Sequence, residues 1–267
     1  MKKILAVILA LTLLLSFAAC GKKTDSKTIK VGASPAPHAA ILEVAAKLLE
    51  KDGYTLEIVE FDDYILPNTA LDGGELDANY FQHITYLNNF NEEYGISLVS
   101  AAGIHYEPFG IYAGKSASLD SLPDGAKISV PNDATNEARA LLLLEQEGLI
   151  VLKEGVGLSA TKDSIVENPH GYTIVETKAE LLTATLSDVD AAVINGNYAI
   201  DAGLKVSEAL AVESADGTAA EAYVNVIAVK SGSENSEKIQ ALIKALESPE
   251  VKSFIEDTYD GAVVPLF

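Results

Sequence analysis

The chain has 267 residues, 48% of them hydrophobic, and a formal net charge of −20 at pH 7. That length allows one large domain or two modest ones with real cores, and that hydrophobic content excludes wholesale disorder. The excess of carboxylates argues against nucleic acid and anionic lipid as ligands, while leaving room for a small zwitterion in a local pocket.

At the N-terminus, Lys2 and Lys3 precede an apolar run from Ile4 to Phe17, then Ala18-Ala19-Cys20-Gly21. The run is short for a membrane span and has the basic start and small-residue end of a secretion signal, here residues 1–19. Cys20 is the only cysteine, so it makes no internal disulfide, and cleavage would leave it first. The arrangement resembles the lipobox of bacterial lipoproteins, whose cysteine is acylated, with Phe17 where that pattern usually has leucine. Plain secretion with cleavage near Ala19 is the alternative. Residues 20–27 then read as a lipidated Cys20 and a flexible polar tether.

From Thr28 the chain alternates short strands and helices. Thr28–Ala33 is a predicted strand, followed by a helix with Ile41, Ala45, Leu48 and Leu49 on one face that stops at Gly53. Leu56–Phe61 is nearly continuous apolar strand, as expected where both sheet faces are covered. A short helix around Pro67 ends at Gly73-Gly74, and a strand over Ala78–Phe81 leads into a helix using Ile84, Leu87 and Phe90. A long apolar segment, Ile96–Gly114, follows. The pattern then restarts at Lys127, with further strands at Tyr172–Glu176, Asp190–Asn195 and Ala222–Val229. Amphipathic helices near Ser236–Leu246 and Pro249–Tyr259 close the chain. This is an α/β layout of two lobes joined by two crossovers, near 113–117 and 223–228. Lobe 1 comprises 28–113 plus 226–267, and lobe 2 comprises 114–225.

The segment Lys127–Ile150 carries the clearest chemical signal. A buried strand breaks at Pro131 and turns into a helix that Asp133 or Thr135 can cap. Asn136 and Arg139 share a face of its first turns, at the carboxyl edge of a sheet, where open α/β sheets bind ligands. Arg139 is the only arginine in the chain. A planar, permanently charged fork suits a carboxylate held by two parallel hydrogen bonds. A surface arginine paired with Glu137 or Glu145 is the plainer reading.

The segments FDDYILPN (Phe61–Asn68), LDANYFQHITYL (Leu76–Leu87), SVPNDATNEARALLLLEQEGLI (Ser129–Ile150), VENP (Val166–Pro169), AVIN (Ala192–Asn195) and AYVNVIAV (Ala222–Val229) occur in this order. Together they resemble the methionine-binding lipoproteins of the NlpA type, the substrate-binding proteins of ABC importers. The resemblance spans nearly the whole chain after Thr28. It implies a two-lobed periplasmic-binding-protein fold of type II, with methionine, in its L form, bound in the interdomain cleft. It also implies a lipid anchor on the extracytoplasmic face of a bacterial envelope and an ABC permease with its cytoplasmic ATPase as partner. The protein is then a monomer without a cofactor, and neither an enzyme nor a nucleic-acid binder.

By the same resemblance Arg139 holds the ligand carboxylate and Asn136 supports that end. Asn195 and Asn225 interrupt apolar strands, where an amide is costly without partners, and a ligand's ammonium and carboxylate would supply them. Turn asparagines that bond only to backbone are the structural alternative, most of all for Asn195 before Gly196. Phe81, His83 and Tyr86 begin a helix at a sheet's carboxyl edge, and with Tyr64 they form an aromatic wall suited to a polarisable thioether. Taken without the resemblance, Phe81 reads as core and His83 as a helix cap. His105 lies near the end of a strand and stays outside the expected site.

Enzymatic readings find little support. VGLSAT around Ser159 lacks the second glycine of a nucleophile elbow, and His38, His83, His105 and His170 lack the paired spacing of a zinc site. No metal is expected. Three alternatives stay open: the same fold binding a methionine-containing dipeptide or another hydrophobic amino acid, a metal-ion-binding lipoprotein, and an adhesin.

Overall fold

The computed structural model describes residues 27–214 and 217–267. The expected signal segment, Cys20 and most of the tether lie outside them. Lys27, the last tether residue, already belongs to the fold: its carbonyl accepts the Thr55 N–H at 2.9 Å.

The first run of elements is β1 (Thr28–Ala33), α1 (Ala40–Lys51), β2 (Thr55–Glu60), α2 (Leu66–Gly73), β3 (Ala78–His83), α3 (Ile84–Tyr94) and β4 (Leu98–Tyr106). The second begins with β5 (Gly110–Ala113), β6 (Lys127–Pro131), α4 (Ala134–Gln146) and a hairpin of β7 (Val151–Leu152) with β8 (Ile165–Glu167). It continues through β9 (Thr173–Thr177), α5 (Leu182–Thr185), β10 (Ala191–Ile194), α6 (Gly196–Asp201), β11 (Ala211–Val212) and α7 (Gly217–Ala222). The chain closes with β12 (Asn225–Lys230), α8 (Glu237–Leu246), α9 (Pro249–Tyr259) and β13 (Val264–Pro265).

Two mixed sheets result, one ordered β13-β4-β12-β3-β1-β2 and the other β11-β5-β10-β6-β9. Alternation along the central strands shows that each sheet is covered on both faces. In β12, Ile227 and Val229 pack with Ile41, Leu42, Leu242 and Ile255 of α1, α8 and α9. Val226 and Ala228 point the other way, onto Leu71 of α2 and Leu87 of α3. In β10, Val193 meets Leu141 and Leu144 of α4, while Ile194 meets Leu182 of α5 and Ala199 of α6. Burial of these apolar faces at about 25 cal/mol per Å² is the main force holding each sheet to its helices.

The structure revises three sequence expectations. β2 is an edge strand with Thr55, Glu57 and Glu60 exposed, so its apolar run is covered only in part. β3 runs on to His83, which puts Phe81 and His83 in the strand rather than in the helix. β5 pairs with β10 and β11, so the chain passes between the sheets at Glu107–Phe109, earlier than the expected 113–117. The apolar segment from Ile96 is thus two strands in two different sheets.

Candidate ligand-binding site

The strand ends of the two sheets face each other across one cavity. From the first sheet come Phe81, Gln82 and His83 at the end of β3, Tyr86 in α3, Tyr64 before α2, and Asn225 at the start of β12. From the second come Asn136 and Arg139 on the first turns of α4, and Asn195 to Asn197 where β10 hands over to α6. Glu107, on the passage between the sheets, completes the lining. All eight residues expected from sequence, Tyr64, Phe81, His83, Tyr86, Asn136, Arg139, Asn195 and Asn225, therefore lie around one space.

One end of the cavity is aromatic. The Tyr64 ring centre lies 5.8 Å from that of Phe81 and 5.6 Å from that of Tyr86, with Phe81 and Tyr86 6.2 Å apart. The Tyr86 hydroxyl donates to the Tyr64 carbonyl at 3.1 Å, and the Tyr64 hydroxyl donates to Asn197 Oδ1 at 2.5 Å. The second bond joins the two lobes, as does Tyr198 donating to the Asp62 carbonyl at 2.9 Å. Burial, with neighbouring acidic groups, holds the Tyr64 hydroxyl well above the ordinary tyrosine range, so it stays a neutral donor.

The other end is polar, and its hydrogen bonds fix every amide. Asp133 caps α4 by accepting the Asn136 N–H at 3.0 Å, and both its oxygens accept from Asn136 Nδ2. Asn136 Oδ1 must therefore face the cavity side, where it accepts from Asn195 Nδ2 at 2.8 Å and from His83 Nε2 at 3.2 Å. His83 also caps α3, its Nδ1 accepting the Tyr86 N–H at 3.0 Å, which assigns the ring proton to Nε2. Burial, assisted by the Arg139 charge, pushes His83 down to about 3, so the ring is neutral. Helix cap and cavity wall are thus the same histidine.

Arg139 differs from expectation. It is buried and pairs with neither Glu137 nor Glu145. Its Nε donates to Glu213 Oε2 at 3.0 Å and its Nη2 donates to Glu213 Oε1, so the parallel pair of bonds expected for a ligand is made with the protein itself. Nη2 also donates to the Glu107 carbonyl at 2.8 Å. The Tyr223 ring stacks 4.1 Å from the guanidinium, with Phe109 at 4.8 Å. Nη1 has no hydrogen-bond partner among the described residues. Glu213 comes from 74 residues further along, carried there by the pairing of β11 with β5. Its Oε1 also accepts from the Tyr106 hydroxyl and the Phe109 N–H.

Behind the polar end lies a cluster that the sequence did not reveal. His38, His105 and Glu107 are buried with donor atoms within 4.8 Å of one another, so these two histidines are not isolated. His105 Nε2 lies 2.7 Å from Glu107 Oε1, and His38 Nε2 lies 3.4 Å from the same oxygen and 3.1 Å from Asn225 Oδ1. His105 Nε2 faces the Glu107 carboxyl oxygen and carries its proton there, so His105 Nδ1 accepts from the Tyr80 hydroxyl. His38 Nδ1 lies 2.6 Å from Ser34 Oγ. Burial lowers His38 to about 4 and His105 to about 3, leaving both neutral. A charged residue inside an apolar run, Glu107 in IHYEP, was the one available hint of this cluster.

The comparisons with known proteins agree along the whole fold. The NlpA lipoprotein family model matches residues 29–267. A protein of Ruminococcus gnavus is 57% identical, its structure superposing with a TM-score of 0.89 over 91% of this chain and 100% of that one. A nutrient-binding protein from Burkholderia cenocepacia, solved bound to methionine, is 45% identical with a TM-score of 0.85, covering 90% of this chain and 100% of that one. The methionine-binding lipoprotein MetQ of Bacillus subtilis is 42% identical over 100% of this chain and 99% of its own length. The α/β architecture of two sheets is the one these binding proteins share, and the chain belongs to the NlpA lipoprotein family, a family of substrate-binding proteins and not of enzymes.

Proposed function

We propose that this protein is the lipid-anchored, extracytoplasmic solute receptor of an ABC importer, and that it closes on methionine in the cavity between its two sheets. One observation carries the reading: a single cavity joins an aromatic wall to a polar end built from amides, a buried guanidinium and a buried carboxylate. The Tyr64, Phe81 and Tyr86 rings suit a thioether side chain. Hydrogens on Arg139 Nη1 and Asn225 Nδ2 that have no partner among the described residues suit an α-carboxylate, with Asn136 and His83 holding the frame. Relatives named for binding methionine at 42% and 45% identity support the same ligand.

Ligand released from purified, denatured protein is expected to be methionine by mass spectrometry, and titration of the emptied protein with each enantiomer is expected to favour the L form. Release of a dipeptide, or of nothing from protein that also fails to bind methionine, would refute the reading. For the anchor, Cys20→Ser is expected to abolish incorporation of labelled fatty acid and to leave the chain either unprocessed or off the membrane. Equal labelling of mutant and parent would remove the lipoprotein assignment.

A further inference from the structure

Four consecutive residues of α6 have four different surroundings, as a helix that turns about 100° per residue requires. Asn197 lines the ligand cavity, and Tyr198 lines a second crevice on the outer side of the cleft. Ala199 is buried in the core of the second sheet, to which α6 belongs. Ile200 packs instead against the core of the first sheet. Among the described residues, every other member of that cluster comes from the elements around the first sheet. Ile200 is therefore an apolar side chain of one layer seated on the core of the other. The whole of α6 lies along the segment Pro35–Ala39 that follows β1, so the seat is a packed surface and not a single touch.

Tyr198 makes the polar half of the same junction. Its hydroxyl donates at 2.9 Å to the carbonyl of Asp62, which lies between β2 and α2 on the far side of the cleft. Neither Tyr198 nor Ile200 lines the cavity. The outer crevice has Pro35, Ala36 and Asp62 on one side and Tyr198 and Asp201 on the other. Asn197 is the one residue common to both linings, so α6 is the partition between cavity and exterior. At its start, Gly196 abuts the passage between the sheets, where a β-carbon would come within 2.8 Å of the Glu107 side chain. The helix thus runs from that passage to the contacts across the cleft. Drawing the two layers apart would expose Ile200 to water, at a cost proportional to the apolar area uncovered. It would also exchange the Tyr198 bond for bonds to water, a smaller loss because both partners are then solvated.

We propose that Tyr198 and Ile200 form a latch on α6 that sets how long the closed protein retains its ligand, without either side chain touching that ligand. The assignment rests on the reading of the protein as a receptor that closes on methionine, and it places the hold of the closed form outside the binding site. Both are positioning residues, acting on the ligand through the seating of α6. A ligand enclosed between the layers leaves only when they separate, so contacts that resist separation slow its release. Entry takes place before those contacts form, so the latch leaves association unchanged and works through the dissociation rate. The hydroxyl bonds a main-chain carbonyl and the isoleucine packs on apolar side chains, so neither contact reads the chemistry of what is enclosed. The latch therefore scales affinity for every ligand alike and leaves the choice between ligands to the cavity wall.

The test measures methionine release and uptake in parent protein, Tyr198→Phe and Ile200→Ala. Tyr198→Phe keeps the ring, whose centre lies 5.0 Å from that of Tyr64, and removes only the hydroxyl that crosses the cleft. Protein loaded with labelled L-methionine is diluted into excess unlabelled methionine to give the release rate, and stopped-flow tyrosine fluorescence gives the association rate. Release is expected to be about 3–10-fold faster in Tyr198→Phe, as for one neutral hydrogen bond, and on the order of 10-fold faster in Ile200→Ala. Association is expected to stay within about twofold of parent in both. The ratio of affinities for L-methionine and L-norleucine is also expected to stay within about twofold, whereas a change that merely reshaped the cavity would move it. A folded Tyr198→Phe protein that releases methionine at the parental rate overturns the latch. So does affinity lost through slower association, or a shifted preference between the two ligands. If Ile200→Ala does not fold, Tyr198→Phe alone decides. Parent protein that binds no methionine overturns the ligand reading and the latch with it.

Discussion

Replacing Arg139 by alanine is expected to destabilise the protein by about 3 kcal/mol, because Glu213, its side chain only 9% exposed, would lose its counter-charge. The same change removes the Nη1 hydrogens proposed to meet the ligand carboxylate, so methionine affinity is expected to fall about 10–100-fold, as for a lost charged hydrogen bond. The two effects separate in a second variant. Arg139→Ala combined with Glu213→Gln has no orphaned charge, so much of the stability is expected to return while the affinity does not. Urea unfolding measures the first quantity and calorimetric titration the second. Arg139→Lys keeps a charge but loses the fork that meets both Glu213 oxygens, and is expected to fall between parent and alanine variant in stability. Parental stability and parental affinity in Arg139→Ala would refute the roles given to this side chain.

Phe81→Ala is expected to have the second largest effect, and on both quantities. Phe81 is 3% exposed and packs with Tyr86 and Phe90 as well as lining the cavity. Truncating a buried phenylalanine costs roughly 3–5 kcal/mol of stability, and here the wall for the ligand side chain goes with it, for a further loss of about 1–3 kcal/mol in methionine binding. Phe81→Leu keeps most of the volume, so it is expected to recover most of the stability while still weakening binding through the lost ring contact. Thermal unfolding with and without a fixed excess of methionine reads both, since bound ligand stabilises the fold by RT ln(1 + [L]/Kd). Unchanged unfolding together with unchanged titration would take Phe81 out of the wall.

Local physics is what made much of this protein readable from its residues. Apolar periodicity gave the strands and helices around both sheets, since a face that must be buried repeats every two residues in a strand and every three to four in a helix. Pro131, the Asp133 cap and the apolar face of α4 place Arg139 at a sheet edge on local grounds alone, and the motifs gather eight of the residues that line the cavity. Where partners were distant, the sequence was silent. Whether the Arg139 fork meets a ligand or Glu213 depends on β11 pairing with β5, a contact 74 residues away with no local signature. That His38, His105 and Glu107 share one buried cluster depends on how the first sheet stacks its strand ends, and histidines scattered along a chain give no sign of it. The edge position of β2 has the same cause: an apolar run shows that a strand is covered, but strand order is set by distant pairings. Residue order alone accounts for the elements, their buried faces and the sheet edge that carries the candidate site. Which charges neutralise each other, and which acceptors are left facing the cavity, follows from the folded arrangement, because electrostatic pairing acts through space between groups far apart along the chain.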